Sequence, residues 1–196
     1  MLKHIFLILL LAGGYYLWDL RSIKHDPGIL VEDEPVVVSL GRSQTIETEN
    51  FTLQPRHQIQ GEARVIARKR YWFDILAGLA PYDYVLAWDK MSDEAVLGPI
   101  SVRIDDRSFD FRMASPPIPI NEMRNNSLHT HFVASNSEIE ELIKGIRVGH
   151  IIRFDGMIVD VKHMHGWEQT SAEISKNGNR RGSQFIWIED LALRAN

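Results

Sequence analysis

Two H-x-H pairs give the sequence its most specific candidate chemistry, which is metal binding. In a β-strand, residues i and i+2 lie on the same face, so the two imidazoles of a pair can share a Zn²⁺, Ni²⁺ or Cu²⁺ ion. If the two strands were neighbours, four ring nitrogens could converge near Asp155 or Asp160. The candidate metal ligands are therefore His129, His131, His163 and His165.

The same histidines also have a structural interpretation. An H-x-H pair often arises by chance, and His163 and His165 precede Gly166, which marks a turn at the surface. Under this interpretation the histidines lie at the surface, and His131 alone is buried and hydrogen-bonded. We therefore expect no cofactor. The alternative is a divalent transition metal such as zinc, which would make the protein a metal-dependent hydrolase.

Residues 71–93 form the second candidate site. The segment is unusually rich in aromatic residues and aspartates. Such a composition could line a ligand groove with aromatic walls and a few polar groups. The alternative is a buried core segment whose aspartates cap short helices. In a groove, the ligand-binding residues would be Trp72, Tyr82, Tyr84, Trp88, Asp89 and, from a later turn, Trp167.

The rest of the sequence excludes several classes of chemistry. Cysteine is absent, so disulfides, thiolate metal sites and cysteine nucleophiles are ruled out. The chain contains no G-x-S-x-G, H-E-x-x-H, P-loop or dinucleotide-binding motif. A formal net charge of -4 provides no basic field, so no nucleic-acid partner is expected.

The pattern of apolar residues predicts a mainly β domain with one prominent helix, an α+β class. Residues 137–145 are the clearest helix, because Ile139 and Ile143 lie on one apolar stripe. Ser137 and Glu140 form a capping box at its start. A single helix placed between a third and a fourth strand of a barrel is typical of an OB-like Greek-key barrel, which is therefore the predicted fold. The predicted strands are residues 36–38, 46–53, 58–67, 100–104, 109–113, 128–134, 150–162 and 183–189.

Two of these strands have features that suit a strongly curved sheet. Residues 58–67 place small residues on one face until Ile66 breaks the alternation. Residues 150–162 should bend at Gly156. Short helices are predicted at residues 75–80 and 91–97, with Ser92 as the N-cap of the second.

The first twenty residues are predicted to anchor the chain in a membrane. Between His4 and Asp19 there is no charged residue, and the apolar run 5–18 would span roughly 21 Å as a helix. The hydrocarbon core is about 30 Å thick, so the run is short. Lys3 can snorkel at one end, and aromatic side chains can lie in the headgroup layer at the other. The alternative is a signal peptide that is cleaved after Gly14.

These segments predict three parts: a transmembrane anchor at residues 1–20, a linker at 21–35 and an extracytoplasmic β-rich domain at 36–196. The predicted location is the inner membrane of a bacterium, with a single-pass signal anchor and the domain in the periplasm. The expected partners are the membrane, through the N-terminal helix, and another protein of the bacterial envelope.

Several stretches resemble a family of uncharacterised bacterial membrane-anchored proteins. They are residues 79–93, 128–134 and 147–156, together with Gly166 and Trp167, and the resemblance covers most of the chain after residue 58. It implies a membrane-tethered extracytoplasmic protein and supplies no reaction. The predicted function is a membrane-tethered binding or scaffold domain, with a metal-dependent hydrolase as the alternative, and whether the protein is an enzyme stays open.

Overall fold

The protein is mainly β. A computed structural model describes residues 6, 7, 10, 13, 14, 21–41, 43–171 and 182–194. From residue 21 onward, the described residues form one sheet of eight strands, one hairpin of two strands and three α-helices. The prediction of a mainly β domain with few helices is therefore confirmed.

The strands and helices alternate irregularly along the chain, with a 3-10 helix at Asp89–Ser92. The strands are β1 (Val36–Ser39), β2 (Ile46–Glu47), β3 (Phe51–Arg70), β4 (Tyr82–Ala87), β5 (Ser101–Asp105), β6 (Ser108–Arg112), β7 (Ser127–Ala134), β8 (Ile151–His163), β9 (Glu168–Gln169) and β10 (Ser183–Leu193). The helices are α1 (Glu94–Leu97), α2 (Ile120–Asn125) and α3 (Ser137–Gly145).

The eight-stranded sheet is organised around five of its strands. β3 pairs antiparallel with β8 along its first two thirds and with β4 along its last third. β7 pairs antiparallel with β4 and parallel with β10, and β10 pairs antiparallel with β8. The path from β3 through β4, β7, β10 and β8 therefore returns to β3. Of the remaining strands, β1 and β2 pair with β3, and β9 pairs with β8.

A bulge in β3 changes which face of the sheet its later residues occupy. Ile59, Ala63 and Val65 are buried in the main core on one face. At Ile66 the pairing with β4 shifts by one residue, which is a β-bulge. Beyond it, Ile66 and Ala67 pack into a second cluster on the opposite face. The break in alternation that the sequence shows at Ile66 is therefore this bulge.

Both faces of β4 and β7 are covered. One face buries Tyr84 and Phe132 in the main core. The opposite face is covered by the β5–β6 hairpin, whose Phe109 packs in one cluster with Val85. Residues 71–81, which connect β3 to β4, pack beside the hairpin against β7, β8 and β10. Side chains on this second face are therefore enclosed between the sheet, the hairpin and the loop.

Some local predictions are wrong in detail. Residues 75–79 form turns, where a helix at residues 75–80 is predicted. Asn136, and not Ser137, caps α3, because its side-chain oxygen accepts from two backbone N–H groups of the first turn. Asp93, and not Ser92, caps α1. In both cases an Asx side chain one position away from the predicted serine forms the cap.

The predicted membrane anchor is not supported. Most of residues 1–20 lie outside the described residues, and the few described ones, such as Phe6 and Leu10, are helical. Across the described part of the chain, no helix is both long enough and apolar enough to cross a membrane. The physical reason is length, since an apolar run of fourteen residues reaches only about 21 Å as a helix, against a hydrocarbon core of about 30 Å. The predictions of a transmembrane helix, of a membrane protein and of a single-pass location in a bacterial inner membrane are therefore wrong.

Residues 21–35 contain no helix or strand but lie against the domain. The Ser92 hydroxyl group is buried and accepts hydrogen bonds from the N–H groups of Leu30 and Val31 at 3.0 and 3.1 Å. The Val31 side chain is part of the main core. The segment predicted as a linker is thus packed on the domain, where it forms one wall of a groove.

Candidate metal centre

A buried carboxylate and two buried histidines lie together on the face of the sheet that the β5–β6 hairpin covers. In the pairing of β4 with β7, Asp83 lies opposite His131, and Val85 lies opposite His129. Residues two apart on a strand share a face, so the three side chains project to the same side. Asp83 and His131 are 0% exposed and His129 is 2% exposed. The cluster is therefore enclosed by protein.

Asp83 lies at the centre of the cluster. Its Oδ1 atom is 2.6 Å from Nδ1 of His131, and its Oδ2 atom is 3.3 Å from Nε2 of His129. An ionised carboxylate only accepts hydrogen bonds, so Nδ1 of His131 carries the hydrogen that it donates. One ligand atom from each of the three residues lies within 4.8 Å of the other two. A carboxylate with two imidazoles is a donor set that suits zinc and other divalent transition metals.

Aromatic rings flank both histidines. The Phe109 ring of the hairpin is 5.6 Å from the His129 ring, and the Phe185 ring of β10 is 4.5 Å from the His131 ring, measured between centroids. These rings exclude water from the cluster. Electrostatic interactions are stronger in such an environment than in water, and an unpaired polar group costs more.

Arg107 brings a positive charge into the cluster from the turn between β5 and β6. Its Nη1 atom donates to Oδ1 of Asp83 at 2.6 Å and to the carbonyl of Ala80 at 2.9 Å. Its Nε and Nη2 atoms donate to the two carboxylate oxygens of Asp74 at 2.9 and 2.8 Å. The guanidinium carbon is 3.9 Å from the centre of the Tyr71 ring. One side chain therefore fastens the hairpin to β4 and to the loop that follows β3.

The backbone at this turn adopts an unfavourable conformation. Asp106 and Arg107 connect β5 to β6 with φ angles of 45° and 56°. These left-handed values are typical of a type I′ turn, which favours asparagine followed by glycine. A residue with a Cβ atom is less stable in this conformation by roughly 1–2 kcal/mol. The contacts of the guanidinium group with Asp74 and Asp83 offset this strain. An arginine at a position that favours glycine is therefore explained by its binding to the buried carboxylate.

Burial and charge act in opposite directions on the ionisation of the cluster. Burial alone would raise the pKa of Asp83, but the neighbouring His129, His131 and Arg107 hold that pKa well below its usual value. Burial lowers the pKa of His131, and the attraction of the Asp83 carboxylate offsets only part of that effect. At neutral pH, Asp83 is therefore ionised and His131 is neutral. These are the protonation states that bind a metal ion.

Three polar atoms of the cluster have no hydrogen-bond partner among the described residues. They are Oδ2 of Asp83, Nε2 of His129 and Nε2 of His131. A buried polar atom without a partner destabilises a protein by about 1–3 kcal/mol, and folded proteins contain few of them. All three atoms are of types that bind transition metals. Their occurrence in one cluster favours a bound ion.

We expect the protein to lose stability as the pH falls from about 7 to about 5. The pKa of His131 is lowered from 6.5 in the folded protein, so the unfolded chain binds this proton first and acid favours unfolding. Asp83 acts in the same direction at lower pH, because its pKa is lowered from 3.8. Urea denaturation at a series of pH values measures the effect as a falling free energy of unfolding.

The control for this pH dependence is His131→Gln, which removes the titrating ring and keeps a polar side chain. Between about pH 7 and pH 5, its free energy of unfolding should change less than that of the wild type. Equal slopes for the two proteins would contradict the assignment of this titration to His131.

The second histidine pair is not part of the cluster. Nδ1 of His163 accepts a hydrogen bond from the N–H of His165 at 3.2 Å, and the His163 ring packs edge-on against Phe51. Within the described residues, only Asp83, His129 and His131 form a group of three or more potential metal ligands. The structure therefore brings the first pair together with Asp83 and not with His163 and His165.

Three of the six candidate ligand-binding residues lie in the core. Tyr82, Tyr84 and Trp88 are 3%, 0% and 2% exposed. The Tyr84 hydroxyl group donates to the carbonyl of Ile143 at 2.7 Å, which ties β4 to α3. Tyr84 and Trp88 therefore do not line an open groove, whereas Tyr82 borders a cavity of about 570 Å³ between residues 48–51, the loop after β3 and α3. The buried-core alternative describes Tyr84 and Trp88.

The other three candidates lie in different environments. Trp72 is 61% exposed in the loop after β3. Trp167 is partly buried, packed against the cluster that contains Leu76. Asp89 starts the 3-10 helix with a φ of 45°, and its Oδ2 atom accepts a hydrogen bond from Asn126 at 3.0 Å. A common ligand groove is therefore not formed by the six residues.

Asp83 and Arg107 are the residues of the cluster that sequence reasoning missed. Asp83 interrupts the apolar run of residues 81–88, and a carboxylate within a buried strand signals a paired charge. Arg107 occupies the second position of a two-residue hairpin loop, where glycine is usual. Neither signal identifies its partner, because the two residues meet only through tertiary packing.

Comparisons of the chain with known protein families, with curated proteins and with solved structures found no match.

Proposed function

We propose that this protein is a metal-binding β domain in which Asp83, His129 and His131 hold one divalent transition-metal ion, with zinc as the first candidate. The observation that carries the proposal is the set of three buried ligand atoms without hydrogen-bond partners among the described residues. One ion between Oδ2 of Asp83 and Nε2 of His129, which lie 3.3 Å apart, would satisfy two of these atoms, and His131 would complete the set of ligand residues. The low pKa values of Asp83 and His131 support the proposal, because a proton then competes weakly with the ion.

We further infer that the five central strands form a closed barrel of the OB-like Greek-key type. The pairing path returns from β8 to β3, and β7 pairs parallel with β10 while the other pairs are antiparallel. Helix α3 lies in the chain between β7 and β8, which are the third and fourth strands of the path in sequence order. This arrangement supports an OB-like barrel. The metal centre would then lie on the outer wall of the barrel.

Arg107 and the ion can share the carboxylate of Asp83. The guanidinium group binds Oδ1, whereas Oδ2 lies on the side of His129. A carboxylate has about four lone-pair sites on its two oxygens. The two cations therefore do not compete for one oxygen, although their repulsion weakens the binding of the ion.

The burial of the cluster favours a structural role for the ion. A catalytic metal keeps an open coordination position for water or substrate, whereas a structural site is closed. The three proposed ligands are at most 2% exposed. The ion would tie β4 to β7 under the hairpin and make the domain a rigid module for binding another protein. A metal-dependent hydrolase would need the hairpin to move away from the site.

Metal content tests the proposal. The full chain is stripped with a chelator and dialysed with Zn²⁺, Ni²⁺, Cu²⁺ or Fe²⁺, and bound metal is measured by plasma mass spectrometry. We expect about one zinc ion per wild-type chain, and loss of most of it in His129→Gln and in His131→Gln. The matched control is the double variant His163→Gln and His165→Gln, which should bind zinc like the wild type.

Thermal unfolding provides the second readout. At a free zinc concentration a hundred times Kd, the ion should stabilise the folded state by about 2.7 kcal/mol, which raises Tm by about 5–10 °C for a domain of this size. A folded wild-type protein without bound metal and without a Tm shift would contradict the proposal. The cluster would then be a hydrogen-bonded ion-pair network only.

A further inference from the structure

The loop after β3 presents a group of apolar side chains to solvent, which we call the aromatic tip (Trp72, Phe73 and Ile75). Their exposed fractions are 61%, 100% and 50%. The base of the loop is fixed, because Leu76 and Leu79 are buried and Asp74 is bound by the hairpin arginine. An exposed apolar group on a fixed base indicates an interaction site. Tryptophan is also among the residue types that contribute most binding energy at interfaces.

A basic side chain lies directly against the tip. The guanidinium carbon of Arg70 is 3.4 Å from the centre of the Trp72 ring, which is a cation–π contact. Arg70 is exposed and follows Arg68 and Lys69 at the end of β3. The tip is therefore exposed, aromatic and positively charged. Its partner should provide a concave apolar surface with negative charge at the rim.

The same chain carries a surface of this kind, which we call the acidic groove. It is a cavity of about 970 Å³ between residues 29–36 and the strands β3, β8 and β10. Its accessible apolar lining comes from Ile29, Leu30 and Val36, because Phe154 is only 1% exposed. Its carboxylates are Glu32, Asp33, Glu34, Glu62, Asp155, Glu189 and Asp190, against the guanidinium groups of Arg153 and Arg194.

A molecule cannot place its own tip in its own groove. The groove borders β3 up to Glu62, and the tip follows β3 after Arg70. At about 3.3 Å per residue, the eight residues of strand between them extend over roughly 26 Å along β3, and the base of the tip is fixed to the sheet. The tip must therefore meet the groove of another molecule.

We propose that this protein self-associates head to tail, with the aromatic tip of one copy bound in the acidic groove of the next. The charge complementarity between Arg70 and the carboxylates of the groove selects a second copy as the occupant. Such a contact uses two different surfaces, so a bound pair keeps one free tip on one copy and one free groove on the other, and short chains or a ring can form. This inference does not depend on the metal centre.

The contact should be weak and reversible. An aromatic side chain buries about 150–250 Å², so two aromatic side chains and one isoleucine bury at most about 750 Å² on one partner, below the roughly 800 Å² per partner of a standard interface. We therefore expect the average mass to rise with concentration in the micromolar to millimolar range. Salt should reduce the association, because part of it is electrostatic.

Sedimentation equilibrium of the full chain over a concentration series tests the proposal with two variants. The tip variant combines Trp72→Ala with Phe73→Ala, and the groove variant combines Glu189→Lys with Asp190→Lys. Each variant alone should stay monomeric. The control combines Asp110→Lys with Glu138→Lys, which makes the same change in net charge on exposed positions elsewhere, and it should associate like the wild type.

A mixture of the two variants gives the decisive result. The groove variant still has a tip and the tip variant still has a groove, so an equimolar mixture should form dimers and nothing larger. A wild-type protein that stays monomeric throughout the concentration series overturns the proposal. The expected partner of the tip would then be a different protein. A mixture that stays monomeric, or tip and groove variants that associate like the wild type, overturns it as well.

Discussion

Replacement of Arg107 by alanine is expected to lower the free energy of unfolding by about 3–5 kcal/mol, the usual effect of removing one partner of a buried ion pair. Asp83 is 0% exposed, and Arg107 donates to its Oδ1 atom at 2.6 Å. In the metal-free protein without the guanidinium group, the carboxylate stays buried without a full positive charge beside it. The hairpin also loses its links to Asp74 and to the carbonyl of Ala80.

Two further variants separate this effect from other causes. Arg103→Ala removes an exposed arginine from the same hairpin and should change stability by about 0.5 kcal/mol or less. Arg107→Gly should be about 1 kcal/mol more stable than Arg107→Ala, because glycine accepts the left-handed backbone of the turn. Urea denaturation measures all three. An Arg107→Ala variant as stable as Arg103→Ala would show that the buried pair contributes little to folding.

Replacement of Gly156 by alanine is expected to lower the free energy of unfolding by about 3 kcal/mol or more. This is at the upper end of the usual cost of adding an atom to a closely packed site. A Cβ atom at this position would lie 2.2 Å from the carbonyl oxygen of Trp187 and 3.2 Å from the Cα atom of Ile188. Both are backbone atoms of the neighbouring strand β10, so no side-chain rotation relieves the clash. The β8–β10 pairing, which is already irregular next to Ile188, would have to shift.

Gly78→Ala is the matched control for this substitution. Gly78 is exposed, and a Cβ atom there meets nothing within 4 Å. Its effect on the free energy of unfolding should stay within about 0.5 kcal/mol. If Gly156→Ala unfolds at the same urea concentration as Gly78→Ala, the close approach of β10 to β8 is not a constraint on the fold. Loss of soluble protein in the Gly156→Ala variant alone would agree with the expectation.

The strands could be predicted where alternation and turn residues coincide. In β10, the alternation of Phe185 with Ile186 predicts two faces, and the two residues do pack in different clusters. The break at Ile66 and the glycine at position 156 were also visible in the sequence. Their physical causes, a β-bulge and a close backbone approach, became clear only from the pairing of the strands.

The cluster could be predicted only in part. The spacing of His129 and His131 is a local property, so the sequence identifies the pair. Their meeting with Asp83 depends on the register between β4 and β7, which local pattern does not determine. The aromatic residues of the segment 71–93 were ambiguous for another reason. Tyr84 in the core and Trp72 at the surface are chemically similar, and only tertiary packing decides which is buried.

The position of β10 in the sheet has a consequence for how the chain folds during synthesis. β7 and β8 are made before β10, and β10 pairs with both of them. β7 and β8 therefore each expose an unpaired edge until β10 has left the ribosome. Such edges readily pair with strands of other chains. The β3–β8 ladder adds to the delay, because it joins residues as distant as Phe51 and His163, and distant pairings form slowly. A nascent chain that stalls before β10 would therefore be a substrate for chaperones or a seed for aggregation.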